Sequence, residues 1–206
     1  MDLQFYGANC LTVTYKGARF VVDDNLSELG LKSITKPEDI VLFTANPHDV
    51  EAKLVLDGPG EYEVSDISII GIAAQAHVDE ANKFNATMFK LILGDQSMLI
   101  TGHIYPKLND KQLEAIGHVD ILVIPIGGNG YTVDAAGALE VIKAIEPRVV
   151  IPTHYADKML KFPVPQQDLT QALKDLAMEP KETLTKFRFK PTELTDLTQL
   201  VVLERS

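Results

Sequence analysis

Apolar and polar positions alternate over short stretches in the first hundred residues, and each stretch ends at a glycine or a turn. This period of two predicts strands at Leu3 to Tyr6, Leu11 to Tyr15 and Arg19 to Val22. The same pattern continues at Ile40 to Phe43, Tyr62 to Val64, Ile67 to Ile72, Met88 to Leu93 and Met98 to Ile100, with Asp57-Gly58-Pro59-Gly60 as a turn. Beyond residue 105 the pattern changes. Lys111 to Ile116 reads as a short helix behind an Asn109-Asp110 cap, and Asp120 to Ile126 as a buried strand. Asp134 to Ile145 carries Leu139, Ile142 and Ile145 on one helical face and must stop before Pro147. Val149 to Ile151 is again a buried strand, so this unit is most simply a parallel crossover. A third helix is expected over Asp168 to Met178, then strands at Lys186 to Phe189 and Gln199 to Leu203. Strands first and a mixed second half imply sheets packed centrally with helices outside, a layered α/β sandwich. No linker or internal repeat divides the pattern, so one domain over residues 1–206 is expected.

Composition narrows the function more than the fold. The 206 residues carry 19 basic and 29 acidic side chains, a net charge of −10. That balance repels phosphate backbones, and no nucleic-acid partner is expected. No apolar run is long enough to span a bilayer, so no membrane partner is expected either. Met1-Asp2-Leu3-Gln4 has neither a basic nor an apolar leader region, and a cytoplasmic setting is the default expectation. Cys10 is the single cysteine, which excludes a disulfide scaffold and reads as a small buried thiol. There is no Gly-x-Ser-x-Gly elbow to support a serine hydrolase.

The chemistry that remains is histidine chemistry. His77, His103 and His154 each lie just past a predicted strand end, where layered sheets build ligand sites. Three imidazoles suit an open zinc site in kind, although their long separations leave solvated loop histidines as the alternative. Asp23, Asp24, His48 and Asp49 also follow strand ends and could ligate, orient or cap. His118 beside a short helix end reads as solvent-facing. Gly127, Gly128 and Gly130 lie between a buried strand and a helix, where backbone amides can cradle an anion or simply make a tight turn.

Several segments resemble the metallo-β-lactamase superfamily, in the branch of small bacterial metal-dependent hydrolases similar to ascorbate-6-phosphate lactonase. They are the opening Asp2 to Leu11, Phe20-Val21-Val22-Asp23, Asp39 to Thr44, Asp57 to Glu63, Leu113 to Gly117, Val119 to Gly128 and Pro147 to Tyr155. The resemblance implies a four-layer αββα sandwich. It also implies a His-x-His-x-Asp-His loop holding two ions, usually zinc, sometimes manganese or iron. That loop falls on Thr44 to Val50, where Ala45, Pro47 and Val50 stand in place of the three histidines and Asp49 matches the aspartate. Gly7-Ala8 replaces the branch's glycine-histidine opening. His77 falls near the next ligand, His103 replaces the bridging aspartate, and His154 matches the last histidine.

Losing the bridging carboxylate removes the group that holds both ions and the attacking hydroxide. The resemblance thus implies a degraded dinuclear site and a non-catalytic role in binding or assembly. The alternative is a hydrolase of a small ester, lactone or phosphoester with a rebuilt mononuclear site on Asp49, His77, His103 and His154. One zinc, manganese or iron ion, or none, follows from the same residues. A third reading gives the old cleft to a small anionic ligand on the glycine turn. The family also admits a homo-oligomer.

Overall fold

The computed structural model describes residues 1–81, 83–188 and 197–206. Six strands form one sheet: β1 (Asp2–Gly7), β2 (Cys10–Tyr15), β3 (Ala18–Val22), β4 (Ile40–Leu42), β5 (Leu54–Leu56) and β13 (Phe187–Arg188), in the order β13-β1-β2-β3-β4-β5. Eight form the other. They are β6 (Gly60–Val64), β7 (Ile67–Ala74), β8 (Ala86–Leu93), β9 (Gln96–Ile100), β10 (Ile121–Pro125), β11 (Val149–Thr153), β12 (Pro180–Leu184) and β14 (Gln199–Leu203). Their order is β12-β14-β11-β10-β9-β8-β7-β6. The helices are α1 (Asp110–Ile116), α2 (Ala135–Ile145) and α3 (Leu169–Leu176).

Alternation along the strands explains the layers. In β1 Leu3 and Phe5 are buried while Gln4 and Tyr6 are only partly so. The inward faces of the two sheets meet in one apolar core that includes Leu3, Phe20, Leu42, Ile69, Phe89 and Leu91. A second core packs α1, α2 and α3 on the far face of the eight-stranded sheet, through Ile116, Val141, Ala172 and Leu176 among others. Strands β10 and β11 are buried on both faces, as their unbroken apolar runs require, and pair in parallel across α2. The outer face of the six-stranded sheet (Cys10, Val21, Val41, Phe43) is covered by the turns carrying Leu26, Leu29 and Leu160. The αββα order is therefore present, with turns doing on one flank what helices do on the other.

Local signals act as expected at the helix ends. Asn109 and Gln112 close a reciprocal capping box on α1. Asp134 and Asp168 cap α2 and α3, and α2 ends with Glu146 in the left-handed region just before Pro147. Two strands were not expected, β5 and β12, and Phe189 of the expected strand Lys186 to Phe189 lies outside the described residues. Among the described residues, no helix is long and apolar enough to cross a membrane.

The inter-sheet core predicts a clear contrast between two phenylalanines. Phe89 is fully buried there and Phe84 is about half exposed. Phe89→Ala should lower the free energy of urea unfolding by about 3–5 kcal/mol, whereas Phe84→Ala should stay within about 0.5 kcal/mol of the parent.

Candidate active site

The parallel strands β9, β10 and β11 end at one edge of the sandwich, and β7 ends at the same edge because two antiparallel steps separate it from β9. Strands β3 and β4 of the other sheet deliver Asp23 and Thr44 to that edge. Between the two rims lies a cleft of about 330 Å³ lined by residues of both sheets, among them Asp23, Thr44, His48, His77, His103 and Tyr131.

Hydrogen bonds stitch the sheets together at the cleft floor. The Asp23 carboxylate accepts the Thr44 N–H at 2.7 Å and the Thr44 hydroxyl at 2.6 Å. The Thr44 carbonyl accepts the N–H of Thr87 on β8 at 2.8 Å. On the other side of the floor, the His154 N–H donates to the Ala8 carbonyl at 2.8 Å, and the Thr153 hydroxyl donates to Asn9 Oδ1 at 2.9 Å. Ala8, Asp23 and His154 all hold a positive φ of 45–55°, a cost that packed surroundings must offset. Gly102 fits because it has no side chain: its φ is +61°, and a Cβ there would run into Thr44.

The histidines gather on this floor. The rings of His103 and His154 meet edge to face with centroids 4.5 Å apart. Tyr131 packs on both, at 5.3 Å and 5.7 Å, and Phe162 lies 5.0 Å from His154. Gln166 donates its Nε2 to the Val164 carbonyl, which turns Oε1 towards His154 Nδ1 at 3.1 Å. Nδ1 must then carry the proton, and Nε2 is the bare nitrogen. The His77 N–H donates to the His103 carbonyl at 2.7 Å, while its buried Nδ1 has no partner. Burial depresses His103 to about 4 against the bond with the Tyr131 backbone, and the nearby His77 lowers it further. Burial and then His103 itself take His154 down to about 3. Both rings are therefore neutral at pH 7, the form that ligates metals.

Asp49 does not join them. The loop after Thr44 packs Val50 against the outer apolar cluster and leaves Asp49 exposed, beside Ser27, Ser33 and Thr35 in a separate depression. His48 does reach the cleft, with its ring 4.7 Å from that of Phe43. Several amides of the glycine turn are bonded within it. Gly128 N–H donates to Val133, Tyr131 and Thr132 N–H donate to Gly128, and the first turn of α2 is capped by Asp134. Asp23 fixes Thr44, and Asp24 is bonded to Ser33, Ile34 and Thr35 away from the histidines. His118 is largely exposed beside Asp120, and Cys10 is a buried free thiol.

These donors suit a single ion in kind: the neutral imidazoles of His103 and His154, and a buried His77 nitrogen without a partner. They do not fit the family's two-ion set, because the loop over residues 44–50 brings only His48 of the candidate ligands to the cleft and the bridging position is an imidazole. Among the described residues, no group of three His, Cys, Asp or Glu side chains stands so as to hold a metal ion. Tyr131, Gln166, Asn9 and Asn25 escaped the sequence reading. Only Tyr131 had a signal, its place directly after the glycine turn.

A two-sheet sandwich with helices on one flank and a histidine cleft at the strand ends defines a metallo-β-lactamase-type fold. The model of the beta-lactamase superfamily domain matches residues 2–154, and the chain belongs to that family. A protein of Pyrococcus abyssi, UPF0173 protein PYRAB01190, is 38% identical over 180 residues, covering 75% of this chain and 83% of the relative. The UPF0173 metal-dependent hydrolase Ta0764 of Thermoplasma acidophilum is 52% identical over 48 residues, and the match spans 22% of this chain and only 21% of that protein. Among solved structures, a zinc-dependent hydrolase assignment in the metallo-β-lactamase superfamily from Thermotoga maritima aligns with a TM-score of 0.75. It is 24% identical and covers 98% of both chains, a likeness of fold.

Asp23 generates a pH prediction. Burial lifts its carboxyl from the ordinary range to about 7, against the opposing pull of the two Thr44 bonds. The folded state therefore holds a proton that the unfolded chain releases near 4. Stability contributed by this group is full below about 4 and falls as pH rises to about 7. Asp23→Asn keeps an acceptor for Thr44 N–H without that ionisation. In urea unfolding, the variant should gain on the parent between pH 5 and pH 8 by a few kcal/mol, on the order of 1–3. Equal shifts in both proteins would contradict the assignment.

Proposed function

We propose that the protein is a hydrolase of a small ester, lactone or phosphoester, working in the cleft with one metal ion: zinc, manganese or iron. The observation that carries this reading is the meeting of His103 and His154 on the cleft floor, both neutral, with the unpartnered His77 nitrogen beside them. Relatives named as metal-dependent hydrolases support it, and their names lend nothing to a non-catalytic role.

His77, His103 and His154 are the residues that would hold the ion, once their rings turn to a common point that they do not share in this structure. When bound, it would polarise the scissile carbonyl or phosphoryl oxygen and bring the ionisation of a water towards neutrality. The chain's own residues supply the rest. Gln166 fixes the His154 tautomer so that Nε2 faces away from the bond. Tyr131 and Phe162 pack around the imidazoles and keep bulk water from them. Asp23 holds Thr44 and with it the rim that carries His48.

Untagged protein and the His103→Ala and His154→Ala variants should be compared by elemental mass spectrometry and by hydrolysis of p-nitrophenyl acetate, δ-valerolactone and p-nitrophenyl phosphate. The parent should carry one ion per chain and show chelator-sensitive turnover of at least one substrate. Each variant should lose the ion and at least about a hundredfold in rate. A metal-free parent that no added zinc, manganese or iron makes active sinks the reading.

A further inference from the structure

The six-stranded sheet stops at β5, and no described strand pairs with its outer side. An open edge is a row of unpaired N–H and C=O groups, which proteins usually blunt with charge, proline or a cover. Leu54-Val55-Leu56 carries no charge and no proline. The Leu54 N–H goes to the Asp39 carbonyl and the Leu56 carbonyl takes the Phe43 N–H, so both residues turn their backbone groups towards β4. Val55 between them therefore presents its own N–H and C=O to the open side. It is 37% exposed, whereas Leu54 and Leu56 pack on the core between the sheets.

What covers such an edge follows from the residues beside it. Lys53 and Asp57 flank the strand symmetrically about Val55, and both are exposed. Neither enters an ion pair among the described residues. A second copy turned about a two-fold axis through Val55 runs antiparallel to the first and presents the same edge. Lys53 then stands opposite the partner's Asp57, and Asp57 opposite the partner's Lys53. At the centre the two valines form a hydrogen-bonded pair and exchange both N–H to carbonyl bonds. A slip of one residue would part the charges and turn the outward amides away from one another.

Other edges lack this symmetry. On β6 the same rotation about Tyr62 sets Glu61 against the partner's Glu63, and like charges oppose pairing. Strand β12 opens on Pro180, and its Lys181 is already bonded to Gln199 at 2.8 Å.

We propose that the protein forms a two-fold dimer by antiparallel pairing of β5 with β5 of a second copy, with Val55 opposite Val55 and Lys53 opposite Asp57. The two six-stranded sheets then run on as one continuous sheet. The paired segment is short and each chain carries a net charge of −10, so the dimer is weak and its interface lies at the small end of the specific range. The pairing is independent of the hydrolase reading, because each cleft is lined by one chain.

Sedimentation velocity in about 0.15 M salt, where long-range repulsion is screened, tests this. Between about 5 µM and about 500 µM the parent should pass from monomer to dimer, with a Kd on the order of 10–100 µM. The Val55 amide should exchange with solvent more slowly at the upper concentration. Val55→Pro removes the outward donor without taking a bond from β4, as an edge position permits, and should weaken the dimer at least about tenfold. Lys53→Asp and Asp57→Lys each set like charges opposite one another at both ends of the pair, and each should weaken it about tenfold. The double exchange of Lys53→Asp with Asp57→Lys remakes both ion pairs and should return the Kd to within about threefold of the parent. At the lowest concentration the charge variants should melt as the parent does, which separates lost pairing from lost folding. A parent still monomeric at the upper concentration overturns the proposal. So does a dimer that survives Val55→Pro, or one that the double exchange does not restore.

Discussion

Thr44 is the point on which both sheets hang. Its N–H and hydroxyl are taken by the Asp23 carboxylate at the end of β3, its carbonyl by the N–H of Thr87 on β8, and its side chain fills the space that Gly102 leaves open. The apolar core between the sheets stabilises the sandwich far more strongly, since each large buried side chain contributes about 1.5–3 kcal/mol. That contribution is non-directional. It holds the sheets together without fixing how their ends align. Directional bonds at the open edge do that, and each is worth about 1–3 kcal/mol when buried or charged. The alignment has a cost. Asp23 is 7% exposed, and desolvation lifts its pKa to about 7.

The cleft inherits its character from this edge. Because the two rims are stitched through Thr44–Thr87 and Ala8–His154, the floor is tight, and the imidazoles meet one another instead of water. Burial then keeps them neutral. The same burial prepares the imidazoles for a metal.

Much of this frame was legible in the sequence. The unbroken apolar runs of β10 and β11 and the helical spacing between them gave the parallel crossover, and Asn109, Asp134 and Asp168 marked helix starts correctly. The missed strands are the ones sequence physics cannot flag. Strand β5 is three residues long, and β12 is an exposed edge with a charged sequence. The strand-end placement of His103 and His154 brings their rings together, since parallel strands deliver their ends to one edge. Asp49 shows where a motif match fails: its neighbour Val50 found an apolar cluster, and the loop turned the carboxylate outwards. Asn9, Asn25 and Gln166 were invisible because nothing in their local sequence distinguishes a cleft amide from a surface one. Their meaning depends on which atoms are left without partners after folding.

The dependence on Thr44 is tested most directly by a double-mutant cycle in urea unfolding, with Asp23→Ala, Thr44→Val and the two together. Coupling of about 1–3 kcal/mol is predicted, because each variant alone strands a buried partner of the other. A coupling indistinguishable from zero would mean that the two residues are held independently, and that the alignment of the sheets at the cleft does not rest on their contact.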